Sequence, residues 1–163
     1  MKIVCLVRHA KASRDDPSLR DFDRPLSARG KKQAPWLGRR LKGSNVSPGV
    51  IISSPAKRAI ATAETLAAGI QYPLEKIIIE PAVYESGAPA ILGIIKDIAR
   101  DHDVAAVVGH NPALSDLMNY LSRRALDDLP VAGIVCLEFA VDSWEKIARG
   151  EGEVLFYDAP QRE

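Results

Sequence analysis

Residues 3–9 read Ile3-Val4-Cys5-Leu6-Val7-Arg8-His9, an unbroken apolar run that ends on a cation and an imidazole. A short apolar run closed by polar residues reads as a strand buried on both faces. Working outward, the pattern recurs at Val50-Ile51-Ile52, from Lys76 to Ile79 and from Val104 to Val108. Helical stripes lie between: Ala59, Ile60, Ala63 and Leu66; then Ile91, Ile94, Ile95 and Ile98; then Leu114, Leu117, Met118 and Leu121. Strands alternating with helices predict an α/β fold of three layers, a mostly parallel sheet flanked by helices on both faces. Ile134 to Val141 and Glu153 to Tyr157, joined by a long connection around Trp144, add an antiparallel edge near the C-terminus.

Ser27 is placed to cap a helix through Leu41 with Ala34, Leu37 and Leu41 on its inner face. Pro35 falls inside that segment, so the helix either kinks or restarts there. No internal repeat or composition break divides the chain, and residues 1–163 are expected to form a single domain.

Composition narrows the function classes. With 47% hydrophobic and 26% charged residues and a net charge of +1, the chain has the balance of an ordinary globular protein. Basic residues interleave with acidic ones, where a nucleic-acid binder concentrates them on one face. No segment approaches the roughly 20 apolar residues of a membrane span. The apolar run before Arg8 is too short for a signal peptide, so a cytoplasmic protein is expected. Cys5 and Cys136 sit in strand-like runs and read as two small buried hydrophobes.

In open α/β sheets ligands gather outside the carboxyl ends of the strands. After the first strand come Arg8 and His9; after the second, Ser53-Ser54-Pro55 and then Arg58. Tyr84-Glu85 follows the third, and Gly109-His110-Asn111-Pro112 the fourth. His102, by contrast, precedes a strand and belongs to the opposite edge, on the surface. Two histidines, two arginines and a carboxylate thus converge on one edge.

That group suits phosphoryl transfer, in which negative charge spreads over the equatorial oxygens and fixed positive charge stabilises it. Arginine offers a planar fork that matches phosphate. Ser54-Pro55 and Asn111-Pro112 read as a cap followed by proline at the first helical position, and helix N-termini favour anions. An imidazole among cations keeps its lone pair free to attack phosphorus. Rival motifs are missing. No Gly-rich run ends in Gly-Lys-Ser or Gly-Lys-Thr, Cys5 does not head a phosphate loop closed by Arg, and the three histidines are too few for a metallophosphatase cluster.

Arg8-His9-Ala10 resembles the Arg-His-Gly signature of the histidine phosphatase superfamily, and most closely its small SixA-type phosphohistidine phosphatases, a phosphoglycerate-mutase-like branch. The resemblance runs on through Asp23-Arg24-Pro25-Leu26-Ser27-Ala28-Arg29-Gly30, Ser53-Ser54-Pro55-Ala56-Lys57-Arg58, Thr62-Ala63-Glu64-Thr65 and Val108-Gly109-His110-Asn111-Pro112. It implies that His9 accepts the phosphoryl group, that Arg8, Arg58 and His110 form the phosphate pocket, and that no metal or cofactor is needed. The family's usual proton donor is a carboxylate after the third strand or in the loop after the first. Glu85 is the candidate, with Asp15 second. Ala10 departs from the common Gly. Ala12 and Asp15 stand where larger mutases carry a Ser or Thr and an Asn, so Ser13 or Lys11 is expected to serve in part instead.

The substrate expected is a phosphorylated protein of the histidine phosphotransfer type, since so short a chain leaves little to build a lid. The alternatives are a phosphatase or mutase for a small phosphate ester and a non-catalytic phosphate-binding module. Lys11, Arg14, Arg20 and Arg24 are expected to pair with Asp15, Asp16, Asp21 and Asp23 on a solvated loop.

Overall fold

The computed structural model describes residues 1–160. Strand β1 (Lys2–Arg8) leads through a loop with a 3-10 turn at Asp21–Asp23 to helix α1 (Ala28–Gly43). Strand β2 (Val50–Ser53), helix α2 (Lys57–Gly69) and the short strand β3 (Ile78–Ile79) follow. Helices α3 (Ala82–Glu85) and α4 (Ala88–Lys96) lead to strand β4 (Val104–Gly109) and helix α5 (Ala113–Leu121). Strands β5 (Ile134–Phe139) and β6 (Glu153–Asp158) close the order.

The six strands form one sheet ordered β3-β2-β4-β1-β5-β6. β1, β2, β3 and β4 run parallel, while β5 pairs antiparallel with β1, and β6 antiparallel with β5. The mostly parallel sheet with its antiparallel C-terminal edge is the architecture read from the sequence.

Alternation along the strands divides the core into two layers. Val4 and Leu6 of β1 pack with Ile91, Ile95, Leu114 and Leu121 on the α4–α5 face. Cys5 and Val7 pack with Leu37, Leu41, Ala59, Ala63 and Leu66 on the α1–α2 face. β4 splits the same way, Val107 to the first face and Val108 to the second. A central strand with both faces covered is therefore apolar throughout, which is why these runs were legible.

Several expectations are corrected. The third strand shrinks to Ile78–Ile79 because Leu74–Lys76 winds into a 3-10 turn. Of the two alternatives at Pro35 the restart is excluded: α1 is one helix through it, capped by Ser27, whose side chain accepts from the Gly30 N–H. The carbonyl that Pro35 leaves without a donor belongs to Lys31, an exposed residue. Cys5 and Cys136 are fully buried, yet they are not separate: the antiparallel register sets them directly opposite, and they are joined as a disulfide. Their separation of 131 residues carries no local signal of that pairing.

The two proline turns also differ from the expected caps. Ser54 Oγ accepts from the N–H of Ala56, ahead of α2, and Pro112 is itself the residue before α5. Asn111 supplies the cap from one position earlier, its Oδ1 accepting from the Ser115 N–H at 3.1 Å. No helix among the described residues is long and apolar enough to cross a membrane.

Candidate active site

β1 and β4 are neighbours in register, Arg8 opposite Gly109, so His9 and His110 leave the sheet side by side. Their ring centroids stand 5.0 Å apart. Arg58, in the first turn of α2, reaches between them and is only 6% exposed. The His9 main-chain N–H donates to the Gly109 carbonyl, and the next N–H, that of Ala10, donates to Thr62 Oγ1 at 3.0 Å. Thr62 in turn donates to the Arg58 carbonyl at 2.8 Å, so one hydroxyl locks the His9 loop to the helix that carries Arg58.

The imidazole of His9 has a defined orientation. A carbonyl only accepts, so the 2.7 Å contact between His9 Nδ1 and Ala10 O is an N–H donated by the ring. Nε2 then keeps its lone pair and accepts from Arg58 Nε at 3.3 Å. Burial first pushes His9 down to about 4, against the pull of the Ala10 carbonyl, and the Arg58, Arg8 and Arg24 charges push the same way. The ring is neutral at physiological pH.

His110 lies lower still, at about 3, chiefly from burial and then from His9 and Arg58. Its Nε2 shares a hydrogen bond of 2.7 Å with Ser54 Oγ, and its Nδ1 faces Arg58 Nη2 at 3.5 Å. Arg8 donates from Nη1 to the Leu129 carbonyl at 3.1 Å, which also takes Asn111 Nδ2 at 2.9 Å. Arg8 Nε is buried and has no hydrogen-bond partner among the described residues.

His9, Arg8, Arg58 and His110 therefore lie where the sequence reading put them. Glu85 does not join them: at the end of α3 it is exposed, and its carboxylate makes no hydrogen bond to any of the four. Asp15 is exposed as well, with its N–H on Ser13 Oγ, and Lys11 is exposed.

Two residues the sequence reading did not assign stand there instead. Asp21 accepts from Arg58 Nη2 at 2.9 Å and from the Tyr84 hydroxyl at 3.1 Å through Oδ2, and from Arg24 Nη1 at 3.0 Å through Oδ1. Tyr84 also sets its ring edge-on to His110 at 5.5 Å and to Phe22 at 5.2 Å. Burial raises the Asp21 carboxyl, but the hydrogen bonds and charge of Arg58, with Arg24 and Tyr84, outweigh it and hold the group at about 2. Of the pairing expected on this loop, Arg24–Asp21 and Arg20–Asp23 are seen, both at 3.0 Å, while Lys11, Arg14, Asp15 and Asp16 make no ion pair among the described residues. His102 lies at the far end of β4, its carbonyl taking Lys2 Nζ and Trp144 Nε1.

A mostly parallel sheet that delivers a neutral histidine, a second histidine and two arginines to one edge is the frame of a phosphoryl-handling enzyme. Residues 4–87 match the family described as the histidine phosphatase superfamily, branch 1, and the chain belongs to that family. An uncharacterized chloroplastic protein of Arabidopsis thaliana is 30% identical over 151 residues, covering 88% of this chain and 69% of its own. The fold is similar to that of the protein histidine phosphatase SixA complexed with tungstate, with TM-score 0.83 at 20% identity and 98% of each chain covered. A protein designated SixA from Agrobacterium tumefaciens gives TM-score 0.83 at 23% identity, again covering 98% of each chain.

Proposed function

We propose that this histidine phosphatase removes phosphoryl groups from protein phosphohistidine through a covalent intermediate on His9. The observation that carries the reading is the tautomer of His9: Nδ1 is tied to the Ala10 carbonyl, and the Nε2 lone pair points into a cluster of cations. In the first step that lone pair attacks phosphorus, the new Nε2–P bond forms and the bond to the leaving group breaks. In the second step water attacks the phosphorylated His9, the Nε2–P bond breaks, and inorganic phosphate leaves. Arg8, Arg58 and His110 hold the phosphoryl oxygens.

The choice of phosphohistidine rests on the leaving group. A phosphorylated imidazole protonated on its distal nitrogen departs as neutral imidazole, needing no proton delivered at the breaking bond. An alkyl ester departs as a strongly basic alkoxide and needs a proton from a general acid, in this family usually a carboxylic acid. Asp21, the carboxylate hydrogen-bonded within the cluster, is held ionised, and Glu85 faces solvent. We assign neither as a proton donor, and we propose that turnover needs no metal ion.

The test is phosphate release from a phosphohistidine-bearing phosphotransfer protein, beside an aryl phosphate and an alkyl phosphate, with His9→Ala as control and a chelator added in parallel. Fast His9-dependent release from the phosphoprotein, unaffected by chelator, is expected. His9-dependent cleavage of the small esters alone would move the substrate to small metabolites. Full activity in His9→Ala would overturn the nucleophile. Strong inhibition by chelator, reversed by added metal, would overturn the metal-independent reading.

A further inference from the structure

We infer that Asp21 is a positioning residue that sets the edge of Arg58 presented to the phosphoryl group. This rests on the reading of Arg58 as a phosphate-binding residue. A guanidinium is a rigid plane with two usable edges, one made by its terminal nitrogens and one made by Nε with a terminal nitrogen. Asp21 occupies the first. Its main-chain carbonyl takes Arg58 Nη1 at 2.6 Å, and its Oδ2 takes Nη2 at 2.9 Å. The second edge is what remains, and it faces the two rings: Nε lies 3.3 Å from His9 Nε2, and Nη2 lies 3.5 Å from His110 Nδ1.

The Asp21 clamp is itself braced. Arg24 Nη1 holds Oδ1 and the Tyr84 hydroxyl holds Oδ2, so the carboxylate is fixed from α3 and from its own turn. Arg24 is anchored in addition by Nε on the Ser13 carbonyl. The Asp21 side chain is 54% exposed while the Arg58 side chain is 7% exposed, so the acid stands on the solvent side and holds the buried cation from outside. Holding it by the terminal edge turns toward the two rings the edge that an oxyanion between His9 and His110 would need.

A rival reading uses the same contacts: Asp21 is a stand-in for phosphate, displaced when phosphate arrives. The two readings differ in sign. Asp21→Ala frees a stand-in and tightens anion binding; it unlatches a clamp and weakens anion binding.

The experiment measures orthovanadate binding by calorimetry, and kcat and KM on the best substrate found, for wild type, Asp21→Ala, Asp21→Asn, Arg58→Ala and the Asp21→Ala/Arg58→Ala double variant. Thermal unfolding confirms folding of each. Misplacing one catalytic group typically costs on the order of 100-fold, so kcat/KM for Asp21→Ala is expected to fall by about that factor, and vanadate binding to weaken with it. Asp21→Asn, which keeps an oxygen for Nη2, should recover part of the loss. In the Arg58→Ala background, removing Asp21 should change nothing further. Tighter vanadate binding by Asp21→Ala, unchanged kcat/KM, or full additivity in the double variant would each overturn the assignment. If wild type turns over no phosphate compound yet Asp21→Ala still weakens vanadate, the proposed function fails and the clamp stands. If wild type binds no vanadate, both fail.

Discussion

Arg58 and His9 meet nitrogen to nitrogen, Nε to Nε2 at 3.3 Å, while the ring's other nitrogen gives its hydrogen to the Ala10 carbonyl at 2.7 Å. Only a neutral imidazole protonated on Nδ1 satisfies both contacts. With His9 pushed down to about 4 and His110 to about 3, both rings should remain neutral at about pH 5, where an ordinary imidazole is mostly charged. Proton–nitrogen correlation spectra of the rings, recorded from neutral to acid pH, check this. A His9 ring that titrates near its ordinary value would contradict the buried, cation-flanked site.

The same depression couples stability to pH. In the unfolded chain His9 takes up a proton below its ordinary 6.5, whereas the folded chain resists until about 4. Between those values the unfolded state binds more protons, so stability falls as pH drops through that window. Urea unfolding midpoints at about pH 7 and about pH 5 should therefore differ less in His9→Asn than in wild type. Equal differences would show that His9 contributes nothing to acid sensitivity.

Arg58→Lys tests the fork. An ammonium is a point charge and cannot serve Asp21 on one edge and the His9–His110 gap on the other. The variant should fold and lose on the order of 100-fold in kcat/KM, read by steady-state kinetics. Activity within a few-fold of wild type would mean that charge alone suffices.

Gly30→Ala tests the seam between the His9 loop and α1. A Cβ at position 30 would stand 2.1 Å from the Lys11 carbonyl oxygen, a backbone atom that also accepts from the Ser27 N–H. The clash has no flexible side chain to absorb it. Overpacking of this kind destabilises by about 1–3 kcal/mol, to be read as a lowered denaturation midpoint. A variant as stable as wild type would show that α1 shifts freely.

Ser54→Ala removes the acceptor for the Ala56 N–H and the partner of His110 Nε2 together. Leaving buried polar groups unpaired costs about 1–3 kcal/mol, and His110 loses the contact that orients its ring. Reduced stability and a reduced kcat are both expected. A loss of stability alone would mean that His110 is oriented by Arg58 and Tyr84 without Ser54.

How much of this was legible follows from which forces act locally. The buried strands β1, β2 and β4 announce themselves because both faces are covered, and the residues that follow them fall on one edge by topology alone. Arg8, His9, Arg58 and His110 were found that way. Asp21 was not, because its partner Arg58 lies 37 residues on and the link is a chance of loop path, invisible to any periodicity. The available signal was the alternation of acidic and basic residues around it, which was read as pairing within the loop; Arg24–Asp21 fits that reading, and Arg58–Asp21 exceeds it. The carboxylate after the third strand lies apart from the cluster for a related reason. α3 is one short turn, and it offers Tyr84, the neighbour of Glu85, to the cluster.

The pairing of β1 with β4 has a wider meaning. Parallel strands in a sheet stand about 4.8 Å apart whatever their side chains, and the two imidazoles, one residue past Arg8 and one past Gly109, inherit nearly that interval at 5.0 Å. The backbone thus sets the two histidines side by side, and the Ala10 carbonyl, Ser54 and Arg58 then fix how their rings are turned. A chain that keeps these two strands adjacent keeps its two histidines on neighbouring carriers, whatever else is needed to aim them.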